Sequence, residues 1–194
     1  MKKEFITKID VVSGYLGSGK STWIRHLVED QIQGEKIFLV LNEYGEESLE
    51  SLKEAENNEV SFIDVNSGGC ICCGGMNDFR ETLTEKIAWE CPDRVIIETA
   101  GTAVLSNVLS SIEAVRKMGK RNGDEILLGT AYTIVHGKKL RVYYKNLGSF
   151  YEDQLQNSSH IIVTHIEDTA EEVARQIVDK VKEINPAAVV ERLR

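Results

Sequence analysis

The sequence has little of what marks membrane, secreted or nucleic-acid-binding proteins. It contains two prolines and four cysteines among 194 residues. No stretch approaches the roughly 18 apolar residues of a membrane-spanning helix, and the N-terminus lacks the apolar core and the cleavage site of a signal peptide. Acidic residues outnumber basic ones by 31 to 23, which disfavours binding to nucleic-acid phosphates. We therefore expect a cytoplasmic protein with no membrane span and no nucleic-acid partner.

The remaining composition is that of an ordinary globular domain. Hydrophobic residues make up 42% of the chain and charged residues 28%, which excludes a disordered protein. This length predicts one domain, residues 1–194, that can bury a core without help from metals or disulfides. In a reducing compartment, four cysteines favour metal or redox chemistry over disulfide bonds.

Apolar runs alternate with helical periodicity along the chain. Strands are predicted at 5–14, 36–42, 60–65, 94–98, 125–137, 160–164 and 188–192. Helices are predicted at 20–34, 76–91, 102–119 and 169–185, whereas 138–159 is ambiguous between a turn and a short helix. Strands that alternate with helices predict a three-layer α/β fold in which helices flank a mostly parallel central sheet.

Two details of these helices are specific enough to test. Phe79, Leu83, Ile87 and Cys91 recur every four residues, which predicts one buried stripe with Cys91 in the core. Thr169 followed by Glu172 has the spacing of a capping box and predicts that the last helix begins there.

The stretch "GYLGSGKST" at 14–22 has the spacing of a phosphate-binding loop. Glycines let successive backbone N–H groups face phosphate oxygens, the lysine reaches the β- and γ-phosphates, and the following hydroxyl binds Mg²⁺. A strand precedes the motif and a helix follows it, as the motif requires; the alternative is a glycine-rich turn without a ligand. The predicted contacts are Gly14, Gly17, Ser18, Gly19, Lys20, Ser21 for Mg²⁺ as well as phosphate, and Thr22 for the α-phosphate.

A second element, "ETAG" at 98–101, follows a predicted strand. Glu98 would then lie at the carboxyl edge of the sheet, where it can hold Mg²⁺ through water. The Gly101 N–H could contact a γ-phosphate; the alternative is a helix-entry turn. We assign the catalytic roles to Lys20, Ser21 and Glu98, and the sequence identifies no general base.

Three cysteines, Cys70, Cys72 and Cys73, lie within four residues between pairs of glycines. Thiolates are the ligands that Zn²⁺ and similar ions prefer, usually four around one ion. Three thiolates at this spacing form an incomplete set, which suits a site that releases its metal. Burial as small apolar residues and a redox role are the alternatives.

Four motifs together resemble the CobW family of P-loop GTPases, whose relatives include the nickel-inserting GTPases of urease and hydrogenase maturation. They are "GYLGSGKST" from Gly14, "NEYG" from Asn42, "GCICC" from Gly69 and "ETAG" from Glu98, in the order of the family. The resemblance implies a P-loop NTPase fold and a nucleotide-dependent metallochaperone that acts on a client metalloprotein or a cofactor-assembly enzyme. It also implies Glu43 as a further metal ligand, with Glu46 less favoured.

One motif departs from that family. Where the family reads guanine with N-K-x-D, this chain has "THIE" at 164–167 followed by Asp168. We assign base contacts to Thr164, His165 and Glu167, and both GTP and ATP stay open as the nucleotide. The other histidines, His26, His136 and His160, have no partner identifiable from sequence, so a structural role is expected for them.

The sequence therefore predicts a slow nucleoside triphosphatase that uses GTP or ATP with Mg²⁺. It would control a Zn²⁺, Co²⁺ or Ni²⁺ ion through a segment shared by the metal and the γ-phosphate. A partner or a nucleotide-dependent homodimer would complete the catalytic site. A non-catalytic metal- and nucleotide-binding adaptor and a P-loop small-molecule kinase are the alternative functions.

Overall fold

The strands of the central sheet run parallel to one another. The computed structural model describes residues 5–41, 49, 51–54, 58–64, 76–121 and 125–193. Within these residues the strands are β1 (Ile6–Ser13), β2 (Lys36–Leu41), β3 (Glu59–Asp64), β4 (Arg94–Glu98), β5 (Glu125–His136), β6 (His160–Thr164) and β7 (Val189–Arg192). Their order across the sheet is β3-β2-β4-β1-β5-β6-β7. The prediction of a mostly parallel α/β sheet is confirmed.

Six α-helices lie among these strands in the described part of the chain. They are α1 (Lys20–His26), α2 (Met76–Glu90), α3 (Leu105–Arg121), α4 (Leu140–Asn146), α5 (Ser149–Gln156) and α6 (Glu171–Ile184). Helix α1 continues as a π-helical turn, Leu27–Gln31, and short 3₁₀ turns occupy Ser51–Glu54 and Gly137–Lys139. No described helix has the length and apolar character to cross a bilayer.

The helices cover both faces of the sheet because each central strand is apolar on both sides. On β2, Phe38 and Val40 face the layer of α2 and α3, whereas Ile37 and Leu39 face α1. The same layer that holds α2 and α3 continues over β5 to β7 with α4, α5 and α6, where Tyr151 is buried. This arrangement gives the predicted three layers.

Two predictions about helix ends are wrong. Cys91 is exposed, because α2 ends at Glu90 and Cys91 adopts a left-handed conformation with φ 48° that turns its side chain away from the stripe. Phe79, Leu83 and Ile87 are buried as predicted. Thr169 does not cap α6: Ala170 is the N-cap residue and accepts a hydrogen bond from Ala174 N–H, so the helix begins one residue later than the capping box requires.

A partly buried ion-pair network joins strands at the amino edge of the sheet. Arg94, the first residue of β4, donates hydrogen bonds to Asp10 on β1 and to Glu35 before β2. The side chain of Asp10 is 3% exposed and also accepts the Thr130 N–H. The two carboxylates raise the pKa of Arg94 further above its ordinary value, chiefly through the hydrogen bond to Glu35, so the guanidinium stays charged.

The opposite, carboxyl edge gathers the residues predicted to bind a ligand. Because the strands are parallel, the ends of β1, β4, β5 and β6 meet there. Val12 is in register with Glu98, and His136 with Thr164. Residues that are far apart in sequence thereby become neighbours.

Candidate functional site

The loop from Gly14 to Gly19 connects β1 to α1 and has a backbone that requires glycine. Gly14 has φ 140°, and a Cβ atom there would lie 2.4 Å from the carbonyl oxygen of Ile134. Gly17 and Gly19 also have positive φ angles, 72° and 99°. A residue with a side chain at Gly14 would be strained and would collide with β5. The curled backbone that a phosphate loop needs is therefore present.

Lys20 is held over this loop. Its ammonium group donates a hydrogen bond to the carbonyl oxygen of Gly14 at 3.1 Å, and the residue is only 5% exposed. Ser18 N–H closes a turn onto the carbonyl oxygen of Tyr15. The Tyr15 ring packs edge-on against Tyr143 of α4, with 4.9 Å between centroids. The ammonium group of Lys20 is thus held across the opening of the Gly14–Gly19 loop.

Three buried hydroxyl groups surround the end of β1 without a hydrogen-bond partner among the described residues. They belong to Ser13, Ser18 and Thr99, each at most 1% exposed. Buried polar groups are normally hydrogen-bonded, so such a cluster calls for an explanation. Hydroxyl groups can donate hydrogen bonds to phosphate oxygens. Ser21 is half-buried and Thr22 exposed on the first turn of α1.

Glu98, the last residue of β4, and Gly101, on the turn that follows it, lie beside the loop. Glu98 is 5% exposed and ends the strand adjacent to β1, and the next residue, Thr99, donates its N–H to the carbonyl oxygen of Val12. The buried amide of Gln154 on α5 donates to the carbonyl oxygens of Gly101, at 3.1 Å, and Ala103, at 2.8 Å. Gln154 therefore fixes the position of this turn, a role that no sequence motif indicated.

The predicted base-contacting segment touches the phosphate loop directly. The Thr164 hydroxyl donates to the carbonyl oxygen of Ser18 at 2.7 Å. A Cβ atom on Gly19 would lie 3.7 Å from Thr164 Cγ2 and 3.9 Å from His165 Cε1. Glu167 accepts the N–H of His165 at 3.2 Å, and it borders a groove of about 330 Å³ beside β7. The ends of β1 and β6 thus form one continuous surface.

His165 stacks on His136, which the sequence did not single out. The ring centroids are 4.0 Å apart and the rings are inclined by 14°. His165 is exposed and has φ 57°, whereas His136 is half-buried at the end of β5. Burial lowers the pKa of His136, and the neighbouring His165 lowers it further. Only the pairing of β5 with β6 brings these two side chains together.

The predicted metal ligands Cys70, Cys72, Cys73 and Glu43 lie outside the described residues, as does Glu46. In the described part of the chain, no group of three or more His, Cys, Asp or Glu side chains could hold a metal ion. The metal site therefore stays a prediction from sequence.

The parallel sheet and the glycine loop with its lysine define a P-loop nucleotide-binding domain. More specifically, the chain belongs to the family described as CobW/HypB/UreG, nucleotide-binding domain, whose pattern matches residues 8–191. This membership confirms the family that the sequence motifs resembled.

Sequence and structure comparisons agree with this assignment. The zinc chaperone CobW of Sinorhizobium sp is 37% identical over 100 residues, which are 48% of this chain and 28% of that protein. The match thus spans less than a third of that relative. Hydrogenase maturation factor HypB from Archaeoglobus fulgidus has a TM-score of 0.65 at 17% identity, covering 96% of this chain and 81% of its own. Zn(II)-bound YjiA GTPase from E. coli has a TM-score of 0.65 at 20% identity, covering 97% and 57%. At these identities the two structures show the shared fold.

Proposed function

We propose that this domain binds a purine nucleoside triphosphate with Mg²⁺, hydrolyses the γ-phosphate, and uses the cycle to hold and release a transition metal for a client protein. The relative named zinc chaperone CobW supports zinc as that metal, and cobalt and nickel remain the alternatives from sequence. The client would be a metalloprotein or an enzyme that assembles a metal cofactor.

The observation that carries this proposal is the fixed geometry of the Gly14–Lys20 loop. Gly14 has no room for a side chain, Lys20 bridges the loop at 3.1 Å, and the Thr164 hydroxyl ties Ser18 to the end of β6. A loop held in this way keeps its donors in position before a ligand arrives. Such preorganisation is the main protein contribution to phosphoryl transfer.

Hydrolysis would place water in line with the γ-phosphorus and the oxygen that bridges to the β-phosphate. The new P–O bond forms from water as the bridging bond breaks, which gives a nucleoside diphosphate and inorganic phosphate. Lys20 would neutralise charge on the β- and γ-phosphates, and Thr22 would contact the α-phosphate. The unpaired hydroxyls of Ser13 and Ser18 would donate to phosphate oxygens.

The residues around the loop fit a magnesium ion. Ser21 follows Lys20 in the first turn of α1, and Glu98 ends β4, the strand adjacent to β1, so one hydroxyl and one carboxylate lie at this edge. Oxygen ligands of this kind, completed by phosphate and water, are those that Mg²⁺ prefers. When bound, Mg²⁺ would neutralise charge on the phosphates. The backbone N–H of Gly101 would contact the γ-phosphate. The turn that Gln154 holds would thereby respond to the presence of this phosphate.

Replacing Lys20 with Ala tests the proposal. We expect the variant to lose Mg²⁺-dependent phosphate release, because the charge on the phosphates is no longer neutralised. The matched control is Lys182→Ala, an exposed lysine in the last turn of α6, which should behave as the wild type. Phosphate release is measured without any acceptor molecule, which separates a hydrolase from a kinase. Equal turnover in wild type and the Lys20 variant would contradict the proposal, and tight binding without turnover would favour the adaptor alternative.

Three further expectations stay predictions from sequence. They are slow intrinsic turnover, a homodimer that forms with nucleotide, and a cytoplasmic location. The dimer would be detected as a doubling of mass by light scattering after addition of a non-hydrolysable nucleotide.

A further inference from the structure

The position of the nucleoside follows from the position of the phosphate loop. Thr164 is bonded to Ser18, and the space beside Gly19 is bordered by Thr164 and His165. A nucleotide whose phosphates occupy Gly14–Ser21 therefore meets the end of β6 with its sugar and base. In open parallel sheets, ligands lie outside the carboxyl ends of the strands, as this one would.

The side chain presented at that point is an aromatic ring with rigid support. His165 is exposed, and one face of its ring stacks on His136 at 4.0 Å. Its Nδ1 atom is 2.8 Å from the Thr164 hydroxyl. His136 is the last residue of β5 and half-buried. One face of the His165 ring is thus supported by His136, and its edge is held by Thr164. The opposite face of the ring is left for a ligand.

Each carboxylate of the same loop accepts a hydrogen bond within the protein. Glu167 accepts the backbone N–H of His165 at 3.2 Å. Asp168 accepts a hydrogen bond from Lys138 at 2.7 Å, which holds the pKa of Asp168 below its usual range. Selecting guanine requires an acceptor for the N–H groups at positions 1 and 2 of the base. Both acidic side chains that could act in this way already accept one hydrogen bond within the protein.

We propose that the base is held by stacking on the outer face of His165, supported by His136, and that the site consequently accepts guanine and adenine nucleotides with little discrimination. This inference rests on the proposed nucleotide-binding function and specifies its substrate class as purine nucleoside triphosphates. His165 contacts the base, and His136 is a positioning residue that acts through His165.

Stacking explains the expected tolerance physically. Every base presents a π face, so affinity gained by stacking depends little on which groups line the edge of the base. Stacking on an aromatic side chain contributes about 1–3 kcal/mol per base, which corresponds to roughly 5- to 150-fold in affinity. Loss of the His165 ring should therefore lower the affinity for GTP and for ATP by the same factor.

The test is calorimetric titration of the full chain with non-hydrolysable GTP and ATP analogues in the presence of Mg²⁺. We expect dissociation constants for the two analogues within about tenfold of each other. His165→Ala should weaken both by about 5- to 150-fold, His165→Phe should retain affinity for both, and His136→Ala should weaken both to a smaller extent. The matched control is His160→Ala, at the opposite end of β6, which should bind as the wild type does. Thermal melting of each variant establishes that it is folded.

The outcomes separate this inference from the function on which it rests. A preference for either nucleotide over the other above about tenfold, or a His165→Ala effect confined to one nucleotide, would overturn the stacking proposal and leave the P-loop function intact. Binding of neither nucleotide by the folded wild type would overturn both. Full affinity in folded His165→Ala would show that the base lies elsewhere.

Discussion

At the scale of single residues, the lowered pKa of His136 provides a way to test its stacking on His165. Its side chain is half-buried under His165, and the positive charges of Lys138 and Lys139 lie close enough to disfavour protonation further. Burial is the largest cause of the lowered pKa. The same packing that orients His165 therefore keeps His136 neutral at pH 7.

We predict that acid destabilises the protein in part through His136. Because the pKa of His136 is lower in the folded than in the unfolded chain, both states are neutral well above pH 6.5, the ordinary pKa of histidine, and the residue has no effect there. Below that pH the unfolded chain takes up the proton first, so the free energy of unfolding falls as pH falls. His136→Phe keeps an aromatic ring and removes the titration. Urea unfolding at pH 7.5 and 5.5 should show that the free energy of unfolding falls less with pH for this variant than for the wild type. Equal decreases in the free energy of unfolding would contradict the prediction.

At the scale of secondary structure elements, α5 holds the turn that carries Gly101. Gln154 bridges to Gly101 and Ala103, and its own backbone carbonyl accepts hydrogen bonds from Thr133 and Ser158. The helix is thus bonded both to the turn after β4 and to β5. A displacement of the turn would therefore also displace α5, and a displacement of α5 would displace the turn.

We predict that Gln154→Leu lowers the rate of hydrolysis more than it lowers nucleotide affinity. The substitution removes two buried hydrogen bonds, each contributing about 0.5–1.5 kcal/mol, and so loosens the turn predicted to contact the γ-phosphate. Gln156→Leu is the matched control, since Gln156 is exposed on the same helix and its side-chain amide donates to Glu152. Single-turnover hydrolysis and nucleotide titration measure the two effects. Identical behaviour of the two variants would show that Gln154 has no positioning role.

The Arg94 network stabilises the sheet at the edge away from the site. Arg94→Ala would leave Asp10 buried without its ion-pair partner, at a cost of about 3–5 kcal/mol in the free energy of unfolding. Arg116→Ala, in an exposed pair with Glu113 on α3, should change stability little. Urea unfolding measures both, and nucleotide affinity of folded Arg94→Ala should be unchanged. A stability loss no larger than that of the control would contradict a structural role.

At the scale of the whole molecule, the proposed function requires the metal and the nucleotide to influence each other. The nucleotide would lie at the carboxyl edge of the sheet, and the predicted metal segment, residues 69–73, follows β3 in the same chain. β3 also ends at that edge, because it runs parallel to β2. Asp64, the last residue of β3, therefore lies at the same edge of the sheet as the phosphate loop.

We predict that Co²⁺ binds more tightly when a non-hydrolysable nucleotide is present, and that the metal tightens nucleotide binding by the same factor. A coupling of about 1–3 kcal/mol would change affinity by roughly 5- to 150-fold. Titration followed by thiolate-to-Co²⁺ charge-transfer absorption measures the first effect. Cys72→Ser should lose the absorption band, whereas Cys91→Ser, at an exposed cysteine, should retain it. Equal Co²⁺ affinity with and without nucleotide would exclude coupling.

The sequence by itself determined the fold class and the phosphate loop. Apolar runs of strand length and helical stripes reflect burial that each segment needs wherever it packs, and the residues of a P-loop are contiguous, so both are readable locally. The exposed position of Cys91 and the start of α6 at Glu171 escaped prediction because helix ends depend on backbone angles that neighbouring packing sets.

Only the tertiary structure decided which distant side chains meet. The stack of His136 on His165 depends on the register of β5 with β6, and the bond from Gln154 to Gly101 depends on how α5 packs beside the turn after β4. Neither contact leaves a periodic signal in the chain, because the partners belong to separate elements. Strand pairing and helix packing bring them together, and the proposed stacking of the base on His165 rests on that placement.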